Sequence, residues 1–499
     1  MTRPRANGSD RPAGRVAVID LGSNSVRLVV FDGLSRTPVP VFNERVVCGL
    51  GRGLRTSGHL NPDGVALALR SLGRFIGLAR AMAVARIDIL ATAAVREAAD
   101  GAIFVADVER RFGEAVRVLS GAEESRLAAL GIVWGLPKAD GLMGDLGGGS
   151  LDLVAIDEGD FGEHDSLPLG LLWLSEAADG DLDRARRIVE DALGGMAWLA
   201  AIRGRTLFPV GGAWRTLASI SINQSGYPLH ILDNYALGRD QAVALLGLIA
   251  GLGRRTLEKI PGVSRRRLDT LPMAALLLER LIEITQPARI VFSAQGVREG
   301  QFVSNLASGA PDEDVLLGAC AELARRHPRS GVGGAELWDW IGPLFAGEDA
   351  EAARLRLAAC HLSDIAWAEH PDYRGAVAYQ RVLHLPFAGL SHKDRALLAL
   401  SVHLRYDRHA EIGPVARLLL DEDDQARARV VGASLRLALT ICGGIPGLLN
   451  STALNVGKNK LTLILPADGD VFDGEVIERR IQAVARTLGL EGRIMRNNS

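Results

Sequence analysis

Gly141-Leu-Met-Gly-Asp-Leu-Gly-Gly-Gly-Ser-Leu-Asp-Leu-Val-Ala-Ile-Asp157 decides how the rest of the 499-residue chain is understood. A short apolar run ends on Asp145. Three glycines (Gly147, Gly148 and Gly149) and Ser150 make a turn, and a second apolar run then carries one acid, Asp152. The pattern predicts strand, loop, strand. Consecutive glycines let backbone N–H groups converge on an anion with no Cβ in the way. Two carboxylates flanking such a loop suit a hard divalent cation that keeps most of its waters and also touches phosphate.

The chain carries this pattern twice. In Val16–Phe31, Asp20-Leu-Gly-Ser-Asn-Ser25 repeats Asp145-Leu-Gly-Gly-Gly-Ser150 at the first three positions and the sixth, again between apolar runs. Gly, Ser and Asn favour turns everywhere, so either loop alone could be an ordinary hairpin. Two loops with matched flanks instead imply a duplicated domain, both loops facing one cleft. Gly22, Ser23, Asn24 and Ser25 join Gly147, Gly148, Gly149 and Ser150 as candidate phosphate contacts.

Around these loops, strands alternate with helices, which predicts an α/β fold. Residues 1–14 read as a disordered polar tail, 15–140 as a first lobe and 141–305 as a second. Residues 306–314 are a small, polar linker, and 315–499 a mostly helical C-terminal domain. In the first lobe a strand is expected near 39–50, and a helix begins at Asn61-Pro62, where proline's missing N–H costs nothing. A strand follows at 87–92, then a helix capped by Asp100 and a strand at 116–119 leading into another helix. In the second lobe helices are expected near 182–193 and 213–221, with two more within 239–285; strands are expected at 206–210 and 289–293. Near the end, 461–465 is a strand and a last helix runs to about 488.

Composition narrows the function classes. A net charge of −2 excludes a global field that would draw the chain to nucleic acid or membrane. Of 57 basic residues only five are Lys, the rest Arg, the side chain that grips phosphate in bidentate fashion. Cys48, Cys320, Cys360 and Cys442 form no CxxC pair, which fits a reducing compartment. No apolar run reaches the roughly 20 residues that span a bilayer, and the first residues lack a signal peptide's apolar core. A cytoplasmic protein is expected.

Ser120-Gly-Ala-Glu123 is a capping box, with Ser at the N-cap and Glu three residues on. That occupies Glu123 and leaves Glu124 without a local partner. If this helix end faces the glycine loops, Glu124 can hold a water and take its proton during attack on phosphorus. Arg96 follows a strand in Thr92-Ala-Ala-Val-Arg96 and is a candidate phosphate fork. Pro209-Val-Gly-Gly-Ala-Trp-Arg215 runs from strand through Gly211 and Gly212 into helix, a third anion-friendly helix start. Arg267 closes a basic run, Arg265-Arg-Arg267. Walker-A, HExxH and GxSxG patterns are absent.

The ordered set DLGSNS (20–25), TAAVREA (92–98), SGAEESRL (120–127), DLGGGS (145–150), GG-A-WR (211–215) and SAQGVREG (293–300) resembles the exopolyphosphatase/guanosine pentaphosphate phosphatase family over residues 15–305. The resemblance implies a two-lobed, duplicated actin-like fold of the sugar-kinase and Hsp70-ATPase type. It implies hydrolysis of the terminal phosphoanhydride of inorganic polyphosphate, or of guanosine pentaphosphate, with Mg2+ in the cleft. Matched by motif, Glu124 is the catalytic base, Asp145 and Asp152 are metal-associated, and Arg96 and, less closely aligned, Arg267 hold substrate. Asp20 would help orient metal waters. Asp152 departs from the family pattern, which has Glu there, and Leu151 replaces Thr. Residues 315–499 resemble the family's helical third domain, HD-phosphohydrolase-like in longer members. Here adjacent His-Asp is missing, and His361, Asp364 and His370 are expected to hold no metal. A homodimer without nucleic-acid or membrane partners is expected. Competing readings are a guanosine pentaphosphate phosphohydrolase, an actin-like-fold kinase or regulator, and a non-hydrolytic nucleotide or polyphosphate sensor.

Overall fold

The structure is a computed structural model that describes residues 14–33, 39–263, 267–306, 314–326, 331–467, 470–472 and 474–497. All but Gly14 of the expected tail (1–14), most of the expected linker (307–313), Arg265, Arg266 and Asp473 lie outside the described residues. Two compact units are present, Met1–Pro311 and Asp312–Ser499.

The first unit contains two sheets. One comprises β1 (Val16–Leu21), β2 (Ser25–Phe31), β3 (Pro40–Val47), β4 (Arg86–Ala91) and β5 (Val116–Val118), in the order β3-β2-β1-β4-β5. The other comprises β6 (Gly141–Leu146), β7 (Leu151–Asp157), β8 (Asp160–Leu167), β9 (Thr206–Val210), β10 (Tyr235–Gly238) and β11 (Arg289–Phe292), in the order β10-β11-β9-β6-β7-β8. Read from β8, the second sheet repeats the first: two antiparallel pairings, then two parallel ones. β10 is an added antiparallel edge. The duplication expected from the twin loops is therefore present in the strand order itself.

β1 and β6 are central and covered on both faces, which is why their apolar runs are nearly continuous. One face of the first sheet packs on Leu72, Phe75 and Ile76 of the helix Pro62–Ala81. Its other face is closed by Leu127 of the helix Gly121–Gly135 and Phe302 of the helix Val297–Ser304, with the Phe31 and Phe302 rings 4.5 Å apart. These two helices cross backbone to backbone. A Cβ on Gly300 would stand 1.8 Å from the Leu127 carbonyl oxygen, and one on Gly131 would stand 2.5 Å from that of Gly296. In each sheet the single acid of the central strand, Asp20 or Asp145, sits at the fifth of six positions. Both are near the carboxyl end of a strand with a parallel neighbour, where α/β sheets form ligand crevices.

Differences from the sequence expectations are local. The strand expected near 39–50 ends at Val47, before Gly49 turns the chain at φ +66°. Asp100 occupies the N-cap of Gly101–Phe112, but its side chain makes no cap bond; Oδ1 accepts from the Leu60 N–H at 2.9 Å instead. β8, β10 and the helix Leu171–Ala178 were not expected. β8 is an almost fully exposed edge strand, so its sequence shows no apolar alternation.

The second unit is mostly helical, with its longest helices at Glu422–Cys442 and His392–Tyr406. It also holds a three-stranded sheet of β12 (Ala453–Val456), β13 (Lys460–Leu465) and β14 (Glu491–Arg496), of which only β13 was expected. Asp364 is ion-paired to Arg405 at 2.6 Å, and the His361 ring packs against Gly334. His370 is exposed. No helix among the described residues is long and apolar enough to cross a membrane.

Candidate active site

The two glycine loops have the same local bond. Gly22 N–H donates to Ser25 O at 3.0 Å, and Gly147 N–H donates to Ser150 O at 3.0 Å. The loops also touch. A Cβ on Gly148 would lie 3.1 Å from Ser23 Cβ, and one on Gly149 would lie 3.0 Å from Ser23 Oγ. Together they line one cleft of about 1280 Å3, which includes Gly22, Ser23, Asn24 and Ser25 from one lobe and Gly147, Gly148, Gly149 and Ser150 from the other. Gly211 and Gly212 lie on the same wall. Gly211 has φ +108°, and a Cβ there would stand 2.4 Å from Leu146 O, so the turn into the helix Gly212–Gln224 requires glycine.

The acids occupy distinct depths. Asp145 and Asp152 are direct cross-strand partners in the β6–β7 register, which places their side chains on one face. Asp145 lines the cleft, and Asp152 does not. Asp152 is 2% exposed and sits one layer back, with Oδ1 accepting from Ser125 Oγ at 3.2 Å and Oδ2 from Ser150 Oγ at 3.0 Å. Both of its oxygens are thus engaged by hydroxyls. Asp20, the counterpart of Asp145, lines the cleft and accepts from Arg298 Nη1 at 3.0 Å.

Glu124 lies where the capping box puts it. Ser120 Oγ accepts from the Glu123 N–H at 3.2 Å while Glu123 Oε2 accepts from the Ser120 N–H at 2.9 Å, so the next residue is free to face the cleft. Glu124 lines the cleft, and its Oε2 accepts from Arg96 Nη1 at 3.0 Å. Burial pushes the Glu124 carboxyl well above the usual range, and the negative charge of Asp152 adds to it; Arg96 opposes both. Burial first, then Asp152, likewise raises Asp145 to about 7. Arg96 differs in place from the phosphate fork expected of it. It stands behind Glu124, with Nη1 also donating to the Leu119 carbonyl at 2.8 Å, and is not on the cleft wall. Its geometry orients the glutamate.

Arg267 does line the cleft, with Nη1 donating to Gly212 O and Thr216 Oγ1. Five further arginines, Arg27, Arg45, Arg52, Arg215 and Arg298, line it too and were not singled out in the sequence. Arg27 left a signal: it is the one charge inside the apolar strand β2, and it is the cross-strand partner of Asp20, as Asp152 is of Asp145. The described lining thus holds six arginines against four acids, Asp20, Glu124, Asp145 and Asp269, and no aromatic ring. Burial first, and then the neighbouring cations Arg45 and Arg215, lower Arg267 to about 10.

No group of three or more His, Cys, Asp or Glu among the described residues forms a metal cage. The carboxylate of Asp145, with Asp20 nearby, suits instead a cation that keeps waters and shares substrate phosphate oxygens, the habit of Mg2+.

Comparison with known proteins bears on this cleft. The model of the Ppx/GppA phosphatase family matches residues 29–309, and that of the exopolyphosphatase C-terminal domain matches residues 316–495. The chain is 26% identical over 334 residues to exopolyphosphatase 2 of Mycobacterium tuberculosis, covering 62% of this chain and 98% of that one. It is 25% identical over 492 residues to retrograde regulation protein 2 of Saccharomyces cerevisiae, covering 86% of this chain and 81% of the relative. The crystal structure of an exopolyphosphatase from Cytophaga hutchinsonii shares the fold with a TM-score of 0.54 at 24% identity, covering 58% of this chain and 97% of that chain.

Proposed function

Since the chain belongs to the Ppx/GppA phosphatase family, whose actin-like fold it shares, we propose that it is an exopolyphosphatase, which removes the terminal phosphate of inorganic polyphosphate. The observation that carries this reading is the cleft's lining: six arginines around two glycine loops, beside two raised carboxylates, Glu124 and Asp145. Such a lining meets charge along a polyanion. Guanosine pentaphosphate would also need a surface for its base, and no aromatic ring among the described lining residues offers one.

The loop N–H groups and Arg267 hold the terminal phosphoryl group and stabilise the charge that gathers on its oxygens. Glu124, held through Oε2 by Arg96, takes a proton from a water at its other oxygen. The water's oxygen bonds to phosphorus as the bond from phosphorus to the bridging oxygen breaks. Orthophosphate and a chain one unit shorter result. A carboxylate of raised pKa is the better proton acceptor near neutral pH. Asp145, with Asp20, would hold Mg2+, which when bound supplies neutralisation of phosphate charge. Asp152 stiffens the loop through Ser150 rather than meeting the cation directly.

The reading is tested by measuring orthophosphate release from polyphosphate and from guanosine pentaphosphate side by side. Release from polyphosphate with Mg2+ present, at a kcat/KM well above that for the nucleotide, is expected. Preference for the nucleotide would overturn the substrate assignment, and release from neither would overturn the activity.

A further inference from the structure

A second cavity, of about 150 Å3, borders the same loops. Ser23, Gly148, Gly149 and Leu172 line both spaces and form the wall between them. Apart from Leu172 this wall is built from one serine and two glycines, and it lies on the seam between the lobes. Ser23 belongs to the first lobe, and Gly148 and Gly149 to the second. Two bridges cross the seam at the cavity, each using at least one of its lining residues. The Gly53 N–H donates to Glu176 Oε1 at 2.9 Å, and the Arg55 guanidinium lies 4.7 Å from the centre of the Trp173 ring.

We propose that this cavity is the exit for orthophosphate. The proposal rests on the exopolyphosphatase reading. An enzyme that cuts from the end leaves its product pinned between the loops and a shortened chain still held by the cleft's arginines. Departure through the cleft requires passing that chain, which carries the same charge, or waiting for it to dissociate. The rear cavity adjoins the point where the cut phosphate rests, and one small-residue seam separates them. Its volume equals the liquid share of about five waters at roughly 30 Å3 each, room for the five heavy atoms of orthophosphate. Arg55 supplies a cation to draw the anion in. Glu97 and Glu176, also in the lining, keep it from lodging. The chain can then stay bound between cuts.

Two measurements on the full-length protein with polyphosphate and Mg2+ test this. Acid quenching counts every phosphate cleaved, and a fluorescent phosphate-capture protein counts only those set free. Leu54→Phe and Leu54→Trp fill the cavity in two steps without replacing any loop residue. The first cut after mixing is expected to keep its wild-type rate in the quench. Release is expected to lag it several-fold in the Trp variant and less in the Phe variant, so that a burst of quenched phosphate precedes steady release. The Phe variant carries the test if Trp prevents folding. Release of the first phosphate that keeps pace with its cleavage in the plugged protein, with no burst, overturns the exit while leaving the activity intact. If the wild type cleaves no polyphosphate, the functional reading falls and the exit with it.

Discussion

Replacing Glu124 by Gln should move activity and stability in opposite directions. Gln keeps the size of the side chain and an oxygen to accept from Arg96, which now sits 3.0 Å from Oε2, so the cleft's shape is preserved. What is lost is the proton acceptor. A positioned general base contributes about 10²- to 10⁴-fold, which is about 2.7–5.5 kcal/mol of barrier. Steady-state assays should therefore show kcat reduced within that range, with KM nearly unchanged because the arginines and loops that bind the chain are untouched. Stability follows from the raised carboxyl, which burial and Asp152 hold above its unfolded value. The native state then binds more protons than the unfolded state at intermediate pH, so the wild type loses stability as pH rises from about 4.5 upward. Gln removes that loss. In Mg2+-free buffer the variant should melt above the wild type at pH 8, with the gap closing by pH 4. A kcat within about tenfold of wild type, or a variant that melts lower at pH 8, would refute the assignment of Glu124 as a buried base.

Other consequences can be checked separately. Asp145 is raised to about 7 by burial and Asp152, so near neutral pH Mg2+ must displace a proton to bind there. Calorimetric titrations with Mg2+ should give different heats in buffers of different ionisation enthalpy at pH 6.5 and converge by pH 9; identical heats at pH 6.5 would count against Asp145 as the ligand. Gly300→Ala places a Cβ 1.8 Å from Leu127 O, where about 3.4 Å is ordinary contact, so the crossing helices must separate by the difference. Overpacking of this kind costs about 1–3 kcal/mol, readable as a lower urea midpoint, and an unchanged midpoint would mean that the crossing is looser than described. Arg52 is exposed on the cleft wall, and a rim charge is worth roughly 0.2–1 kcal/mol. Arg52→Ala should raise KM for polyphosphate by up to about fivefold at low salt with kcat unchanged, an effect that added salt abolishes.

The parts of the site legible in the sequence were those written in local chemistry. The two loops announced themselves by repetition, and the capping box freed Glu124 by occupying Glu123, as the Ser120–Glu123 bonds show. Depth was not legible. Asp145 and Asp152 look equivalent around their loop, yet only the packing of Ser125 from another element reveals that one faces the cleft and the other is tied up behind it. Arg96 and Arg267 both read as phosphate ligands in the sequence, and which of them reaches the cleft depends on a glutamate 28 residues away from Arg96. Of the remaining arginines Arg27 alone is marked locally, as the one charge in its strand; others converge from distant segments, as Arg298 does on Asp20. Edge elements such as β8 escaped because solvent on both sides removes the apolar alternation that betrays a strand.

The Phe31–Phe302 contact reaches beyond the finished molecule to its birth on the ribosome. One flank of the first lobe, partly covered by the helix that bears Leu127, is not closed until the segment carrying Phe302 has been translated, more than 160 codons later. At cellular elongation speeds that wait is on the order of ten seconds. Through that interval Phe31 lacks the ring it packs on, and a transcript truncated before Val297 would yield a chain that never closes that apolar gap.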